Sequence, residues 1–390
     1  MKVSNRIQGL TGGGDDGWGV FYKARALKAA GEPILELTIG EHDIRTDATI
    51  LAAMNDAAAG GHTGYAMVPG VQKLRETVAK RVQTQSGVKT GPENVMITPG
   101  GQSALFASHH AVCDEGDKAL YIDPYYATYP GTLRGIGAIP VAVQAHAEDS
   151  FQPKAEEIAK LAKGAKSLLI NSPNNPTGVV YSRETLQGIA DTCIANDLWL
   201  ISDEVYDTQV WEGEHISPRS LPDLAERTLV VGSMSKSHAM TGSRVGWVVG
   251  PKEVISHLIT LATHTTYGVP GFIQDAAVFA LTSGSELEEN IAAPFARRRE
   301  ISKDLIAKQN VLKLIPAQGA MYVMLDVRAT GLSGIEFAEK LLEEQKIAVM
   351  PGESFGKAAG GHIRIAMTIA DDDFATAFKR IIDFASLHSQ

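Results

Sequence analysis

A lysine, two serines and an arginine lie in one short segment and together suit carbonyl and phosphate chemistry. The four lie between two apolar runs that read as buried strands, and they are Ser233, Ser235, Lys236 and Arg244. A lysine on such a loop is partly removed from water beside a basic neighbour, and both effects favour the neutral amine. A neutral amine attacks an aldehyde to form a Schiff base, while a hydroxyl and a guanidinium bind phosphate. This segment alone leaves a surface turn with solvated side chains as an open alternative.

The segment has the parts needed to hold pyridoxal phosphate (PLP). Its spacing, Ser-x-Ser-Lys-x7-Arg-x-Gly, resembles the lysine signature of the class I/II PLP-dependent aminotransferases, in the aspartate aminotransferase superfamily of fold type I. Other motifs of that family occur in the expected order along nearly the whole chain. The resemblance implies that Lys236 is the Schiff-base lysine and the proton-transfer base, and that Ser233, Ser235 and Arg244 bind the cofactor.

A glycine pair and a tyrosine each follow a strand-like run and match cofactor-binding positions of that family. A lone Gly-Gly here would be an ordinary turn, but free N–H groups at a helix start attract an anion. The resemblance assigns the cofactor phosphate to Gly100, Gly101 and Gln102. It places the ring of Tyr126 against the pyridine ring. Gln102 has no charge for a second substrate carboxylate, which disfavours a strictly dicarboxylic substrate.

An asparagine, an aspartate and a tyrosine complete the implied cofactor site. In the resembled family, Asn175 binds the phenolic oxygen of the cofactor and the substrate carboxylate, and the Asn175–Pro176 bond is a candidate cis peptide. Asp203 ends an apolar strand and would otherwise be a plain helix cap. Its family role is to keep the pyridine nitrogen protonated, so that the ring accepts electrons. Tyr206 would share the phenolic oxygen with Asn175.

Two further residues carry implied roles toward the substrate and a second chain. A strand arginine is more often a surface residue, but the resemblance implies that Arg364 pairs with the substrate α-carboxylate through two hydrogen bonds. Tyr65 matches the tyrosine that reaches the phosphate of the neighbouring subunit. The resemblance therefore implies a homodimer with shared active sites.

The substrate side of the site departs from the usual family sequence. Relatives usually have Gly-Glu-Pro-Asp-Phe where this chain has Gly-Glu-His-Asp-Ile, starting at Gly40. Gly40 remains a candidate substrate contact, but His42 leaves the substrate class open. A glycine-rich loop with Asp15, Asp16 and Trp18 would suit a cationic or neutral side chain. Its sequence resembles that of arginine–pyruvate transaminases.

The elements that must position these residues alternate between helix-like and strand-like segments from about residue 69. Predicted strands cover residues 94–98, 118–123, 167–171, 198–202, 228–231 and 245–250, and predicted helices include 71–82, 102–112 and 183–195. Apolar strands alternating with helices indicate an α/β fold with a mostly parallel sheet covered on both faces. After residue 283 the pattern becomes α+β. It has helices at 286–309, 334–344 and 371–387, and strands at 320–326, 347–350 and 362–366.

The change of pattern predicts two domains. We expect a large PLP-binding domain at residues 46–285, and a small domain formed by residues 1–45 and 286–390. Residues 1–45 are assigned to the small domain because 33–39 read as a strand outside the alternating block. A chain of 390 residues has ample length for both cores.

Composition restricts the partners and the location. The apolar share of 44% and the charged share of 21% are ordinary for a globular protein, and the net charge of −9 argues against a nucleic-acid partner. Two cysteines suggest reduced packing residues, and the N-terminus lacks the apolar core of a signal peptide. No run is long enough to span a membrane, and the histidines have no metal spacing. We therefore expect a cytoplasmic protein without a metal.

The leading functional prediction is an aminotransferase that takes amino acid and 2-oxo acid substrates in a ping-pong cycle with PLP. A PLP-dependent β-elimination (C–S) lyase on the same scaffold is the alternative, since both reactions use the same lysine, aspartate and arginine. A non-catalytic PLP-binding regulator is a remote third possibility, because the chain has no spare basic segment for a DNA-binding domain.

Overall fold

The computed structural model describes residues 1–14 and 17–389. Its strands are β1 Leu35–Glu36, β2 Val95–Thr98, β3 Lys118–Asp123, β4 Ile139–Gln144, β5 Ala165–Asn171, β6 Trp199–Asp203, β7 Thr228–Ser233, β8 Gly246–Val249, β9 Lys313–Leu314, β10 Tyr322–Asp326, β11 Ile347–Ala348, β12 Met350–Pro351 and β13 His362–Ala366. Its α-helices are α1 Asn5–Gln8, α2 Gly19–Ala29, α3 Ala48–Ala59, α4 Gln72–Ser86, α5 Gly101–Val112, α6 Tyr129–Ile136, α7 Ala155–Ala162, α8 Arg183–Ala195, α9 Met234–Ser237, α10 Lys252–Thr263, α11 Gly271–Thr282, α12 Glu286–Ile306, α13 Gly334–Gln345 and α14 Asp371–His388.

A seven-stranded sheet forms the centre of the larger part, in the order β2-β8-β7-β6-β5-β3-β4. The neighbours from β7 to β4 run parallel, whereas β8 is antiparallel to both β2 and β7. Parallel strands all end at the same edge. The residues that end β5, β6 and β7, which are Asn171, Asp203 and Ser233, therefore lie near one another at the carboxyl edge.

Burial on both faces explains why these strands are almost entirely apolar. Leu168 and Ile170 of β5 pack on one face with residues of α7 and α8. Leu169, between them, packs on the other face with residues of α5 and α10. Successive side chains of a strand point to opposite faces, so a strand covered twice needs apolar residues at every position. The predicted α/β fold with a mostly parallel sheet is confirmed.

A second, antiparallel sheet has the strand order β12-β13-β10-β9 and carries Arg364. The central pair aligns Met324 of β10 with Arg364 of β13. Beside this sheet, β1 pairs in parallel with β11, with Leu35 opposite Ile347. The pairing brings an early segment of the chain into the same apolar cluster as α13 and α14, where Leu37 and Phe378 are both buried.

Most predicted elements are present with shifts of a few residues at their ends, but the first strand is shorter than expected. The sequence predicts a strand over residues 33–39, whereas only Leu35–Glu36 pair as a strand. The reason is its partner, because β11 also has only two residues. Among the described residues, no helix has the length and apolar character needed to cross a membrane.

Candidate active site

A cavity of about 290 Å³ lies where the carboxyl edge of the large sheet faces β10 and β13. Its wall includes thirteen of the residues predicted from the sequence. These are Trp18, Gly40, Gly101, Gln102, Tyr126, Asn175, Asp203, Tyr206, Ser233, Ser235, Lys236, Arg244 and Arg364. Residues from both ends of the chain and from its middle are thus brought together in one concave site, as expected for a small-molecule enzyme.

Lys236 lies in the cavity on α9, a four-residue helix that directly follows β7. The side chain of Ser233 accepts a hydrogen bond of 3.1 Å from the backbone N–H of Ser235 and so caps this helix. The Lys236 Nζ donates a hydrogen bond to the backbone oxygen of Gly40. Burial lowers the pKa of Lys236 from its ordinary value, because the charged form loses solvation. The lysine is thereby closer to the neutral form that acts as a nucleophile or a base.

Asp203 is a buried carboxylate at the end of β6. Its Oδ2 accepts a hydrogen bond of 2.7 Å from the hydroxyl of Tyr129, and its Oδ1 accepts one of 3.3 Å from the backbone N–H of Val205. Burial raises the pKa of Asp203 to about 6, although both hydrogen bonds act in the opposite direction. A cationic ring nitrogen beside this carboxylate would favour its ionised form.

Arg364 is a buried cation on β13, with 1% of its surface exposed. Its Nη1 donates a 2.9 Å hydrogen bond to Asn175 Oδ1, and its Nη2 donates to the backbone oxygen of Thr38. The guanidinium lies 4.4 Å from the ring centroid of Tyr322 and 4.3 Å from that of Phe355. Its Nε is buried without a hydrogen-bond partner among the described residues. These contacts fix a planar cation that has no carboxylate partner among the described residues.

Two tyrosines of the cavity wall, Tyr206 after β6 and Tyr322 on β10, contact each other. The hydroxyl oxygens of Tyr206 and Tyr322 lie 3.1 Å apart. Burial and then the neighbouring Tyr322 raise the pKa of Tyr206 well above its ordinary value, so Tyr206 is a neutral hydrogen-bond donor. Tyr322 also explains the glycine at position 40. A Cβ on Gly40 would lie 1.8 Å from the Tyr322 hydroxyl oxygen.

The opposite end of the cavity has the features of an anion site. No side chain among the described residues caps the first N–H groups of α5, which begins at Gly101. Gly100 has φ of +81°, a conformation that favours glycine, and a Cβ there would lie 2.4 Å from Arg244 Nη2 and displace the guanidinium. Arg244 Nη1 is held by a 2.8 Å hydrogen bond to the backbone oxygen of Thr241. Helix N–H groups, serine hydroxyls and this guanidinium together suit a phosphate.

Comparison with known proteins decides which family this site belongs to. The family model "Aminotransferase class I and II" matches residues 32–381 of the chain. The chain belongs to this family. This aminotransferase is 40% identical over 382 residues to an arginine–pyruvate transaminase of Pseudomonas aeruginosa, covering 98% of this chain and 97% of that protein. It is 34% identical over 365 residues to an aspartate/prephenate aminotransferase of Thermus thermophilus, covering 93% of each.

Solved structures agree with the sequence comparison. A double mutant of the aspartate aminotransferase of Thermus thermophilus superposes with a TM-score of 0.92 and 33% identity, covering 98% of this chain and 100% of that one. The family and fold are PLP-dependent, so this chain is a PLP-dependent amino acid aminotransferase. The β-elimination lyase alternative is not favoured, because the similar proteins are named as transaminases or aminotransferases.

The cavity of the aminotransferase fits PLP on its own contacts. It combines the lysine amine of Lys236, the buried carboxylate of Asp203 and the uncapped start of α5 beside Arg244. These groups match an aldehyde, a basic ring nitrogen and a phosphate, respectively. The Asn175–Pro176 bond is cis, as predicted. In the part of the chain that the structure describes, no cluster of three or more metal-ligating side chains is present.

Two predicted site residues lie outside the cavity wall. Gly100 lies just behind Gly101 and contacts Arg244 instead. Tyr65 is 92% exposed and its ring packs edge-on against Tyr267, with the centroids 5.2 Å apart. Asp15 and Asp16, which the sequence placed in the substrate loop with Trp18, lie outside the described residues.

Sequence reasoning assigned no role to several residues that contact the predicted ones. Tyr129 hydrogen-bonds Asp203, Tyr322 hydrogen-bonds Tyr206, and Asn171 Nδ2 donates a 2.9 Å hydrogen bond to the backbone oxygen of Asp203. Asn171 could have been found, since it ends a predicted strand beside the strand of Asp203. The two tyrosines had no such signal, because their contacts depend on distant segments meeting.

Proposed function

We propose that Lys236 attaches PLP and then moves a proton to and from the α-carbon of the substrate. The observation that supports this role most is that Lys236 lines a cavity shared with Asp203 and Arg364. When bound, PLP supplies the aldehyde that takes up the amino group and a ring that accepts electrons from the α-carbon. Lys236 supplies an amine whose pKa is lowered by burial, which suits a base that takes and returns one proton.

We propose that Asp203 holds a proton on the ring nitrogen of the cofactor. Its carboxylate is fixed by Tyr129 and by the N–H of Val205, so it has one geometry in which to meet a partner. A carboxylate with a pKa of about 6 and no ion pair in the described part of the chain gains most from a cation placed beside it. Tyr206 and Asn175 would bind the phenolic oxygen, since both carry a hydrogen-bond donor and line the same wall.

We propose that Arg364 binds the α-carboxylate of every substrate. Its guanidinium is buried, packed against two aromatic rings and free of any acidic partner among the described residues. A buried cation is costly unless it is paired, and a substrate carboxylate would supply the pair. Two parallel hydrogen bonds would also fix the orientation of the α-carbon relative to Lys236. Trp18 and Gly40 line the remaining substrate side of the cavity.

We propose that Gly100, Gly101, Gln102, Ser233, Ser235 and Arg244 hold the cofactor phosphate. The backbone N–H groups at the start of α5 and the hydroxyls on either side of the turn into α9 supply donors. Gln102 would contribute its backbone N–H, because its side-chain amide is hydrogen-bonded to Thr132 at 2.8 Å and to Thr128 at 2.9 Å.

We propose arginine, or another amino acid with a cationic or neutral side chain, as the amino donor and pyruvate as an acceptor. In the described part of the chain, the lysines and arginines that line the cavity are Lys236, Arg244 and Arg364. Each has a proposed partner already, so no cation is left for a second substrate carboxylate. The similarity to an arginine–pyruvate transaminase supports the same choice.

A panel of amino donors tests this substrate class. Purified enzyme with PLP should use L-arginine and pyruvate at least about tenfold more efficiently, in kcat/KM, than L-aspartate and 2-oxoglutarate. L-Citrulline, which matches arginine in length without its charge, separates the effect of charge from that of size. Equal or better turnover of aspartate would contradict the proposed substrate class and leave the aminotransferase activity itself intact.

We also propose a homodimer with shared active sites and a cytoplasmic location. The exposed pair of Tyr65 and Tyr267 supports an association surface, since large exposed aromatic side chains are favoured at interfaces. Cys113 and Cys193 are buried free thiols, which supports a reducing compartment.

A further inference from the structure

The segment that begins at Gly40 contacts Lys236 at two points, the side-chain amine and the backbone oxygen. The amine of Lys236 donates to the backbone oxygen of Gly40, as described above. The backbone oxygen of Lys236 lies 3.0 Å from His42 Nε2 and 3.1 Å from Gln209 Nε2. Carbonyl groups at the end of a short helix have no partner within that helix. The two side chains therefore fix a peptide group that α9 alone would leave free.

The contacts of His42 define its protonation. A carbonyl oxygen only accepts hydrogen bonds, so the ring must carry a proton on Nε2 to bind it. The other ring nitrogen, Nδ1, is buried without a hydrogen-bond partner among the described residues. A neutral ring protonated on Nε2 satisfies both conditions. Burial, and then the charge of Lys236, lower the pKa of His42 to about 4, so the ring is neutral near pH 7.

The segment around His42 is anchored to α12. Asp43 forms a two-bond ion pair with Arg298, with Nη1–Oδ1 at 3.0 Å and Nη2–Oδ2 at 2.7 Å. Arg298 is 3% exposed, whereas the side chain of Asp43 keeps 24% of its surface exposed. The ring of His42 packs edge-on against Phe295 of the same helix, with the centroids 5.5 Å apart. The donor to Lys236 is therefore held on a rigid support.

We propose that His42 is a positioning residue for Lys236, and that its Nε2–H holds the lysine backbone so that Nζ stays where it takes and returns the proton. This inference rests on the proposed role of Lys236. Proline at this position would supply no side-chain donor, so the hydrogen bond depends on the histidine. Loss of the donor would make productive amine orientations rarer without changing the groups that bind the substrate.

Two substitutions of His42 separate the hydrogen bond from the ring. His42→Leu fills the space without a donor, whereas His42→Gln keeps an N–H group. We expect His42→Leu to lower kcat about tenfold and change KM for the amino donor by no more than about twofold. The second readout is the pH at which the visible absorbance of bound PLP changes, because it reports the proton held at the Lys236 nitrogen. We expect this midpoint to move by roughly half a pH unit or more in His42→Leu.

The controls distinguish positioning from a structural effect. His42→Gln should recover most of kcat and of the absorbance midpoint, and His257→Leu, at an exposed histidine of α10, should change neither. Should His42→Leu fail to fold, His42→Met takes its place, since its flexible side chain fills irregular space. Wild-type kcat and midpoint in the Leu or Met variant would overturn the proposal. Equal losses in His42→Gln would also overturn it, because the ring rather than the donor would then matter.

A Lys236→Ala variant separates this proposal from the role on which it rests. If Lys236→Ala keeps its activity and its PLP absorbance, the proposed role of Lys236 is wrong. If Lys236→Ala is inactive while His42→Leu behaves as the wild type does, only the role of His42 is wrong.

Discussion

At the residue scale, the cavity contains two buried charged side chains of opposite sign, Arg364 and Asp203. Among the described residues, the hydrogen-bond partners of both are neutral groups. Arg364 binds an amide oxygen and a backbone oxygen, and Asp203 binds a phenol and a backbone N–H. Burying charges without ionic partners costs stability. Such a cost is often retained at sites where function depends on it, and both groups lie where a ligand with a carboxylate and a basic nitrogen would pair them.

Arg364→Lys tests the pairing with the substrate carboxylate. A lysine keeps the charge but cannot make two parallel hydrogen bonds, so the substrate would be less well oriented. We expect kcat/KM to fall at least about tenfold, or about 1.4 kcal/mol, for amino and oxo acids alike. The PLP absorbance should stay, and Arg297→Lys, on the exposed side of α12, should behave as the wild type does. Full activity, or loss of PLP, would mean that Arg364 does not bind the carboxylate.

Asp203→Asn tests whether the buried carboxylate destabilises the protein without PLP. Its pKa is about 6 in the folded chain and 3.8 ordinarily, so the folded state binds the proton more tightly. The carboxylate is therefore neutral at low cost below about pH 4, and it destabilises the fold increasingly as the pH rises to about 6. The Asn variant should be inactive yet more stable than the wild type. Its gain in the free energy of unfolding should be larger at pH 7 than at pH 5, by roughly 1 kcal/mol.

Denaturant unfolding of the PLP-free proteins at several pH values measures this difference. Asp197→Asn, at a carboxylate whose side chain is 97% exposed, is the matched control and should show no such trend. A stability difference that does not change with pH would contradict the raised pKa.

At the element scale, local pattern predicted most strands and helices, because burial on both faces of a parallel sheet leaves an apolar run in the sequence. Local pattern failed to predict features that depend on residues distant in the sequence. β1 is limited by the two residues of β11, more than three hundred positions later, and Tyr129 meets Asp203 across 74 positions. The residues of the cofactor site were predicted largely by resemblance. Their supporting contacts, such as Tyr322 with Tyr206, depend on how the two sheets face each other.

The start of α13 is a case where local sequence does define an element. Ser333 and Glu336 form a capping box, in which Ser333 Oγ accepts a 3.2 Å hydrogen bond from the Glu336 N–H and Glu336 Oε2 accepts a 2.9 Å bond from the Ser333 N–H. Ser333→Ala should reduce the free energy of unfolding by about 1 kcal/mol and leave kcat unchanged. Ser256→Ala, on the exposed side of α10, serves as the control. An unchanged melting temperature in Ser333→Ala would show that this cap contributes nothing.

At the scale of the whole molecule, the proposed site needs two chains. Tyr65 lies outside the cavity of its own chain and is almost fully exposed, as expected of a residue that serves a neighbour. Mixing a Tyr65→Ala chain with a Lys236→Ala chain, under conditions that let subunits exchange, should give more activity than the two separate homodimers together. Half of the sites in a mixed dimer would then contain both native residues. No recovery, or an active species that sediments as a monomer, would contradict shared sites.

Chemical trapping at Lys236 tests the central claim most directly, since every proposed role depends on which lysine attaches PLP. Purified protein with PLP is reduced with borohydride and digested, and the peptide that carries the reduced cofactor is sequenced by mass spectrometry. We predict that the visible absorbance disappears and that the adduct lies on Lys236, with none formed by Lys236→Ala. An adduct on any other lysine, or an unchanged yield from Lys236→Ala, would contradict the account.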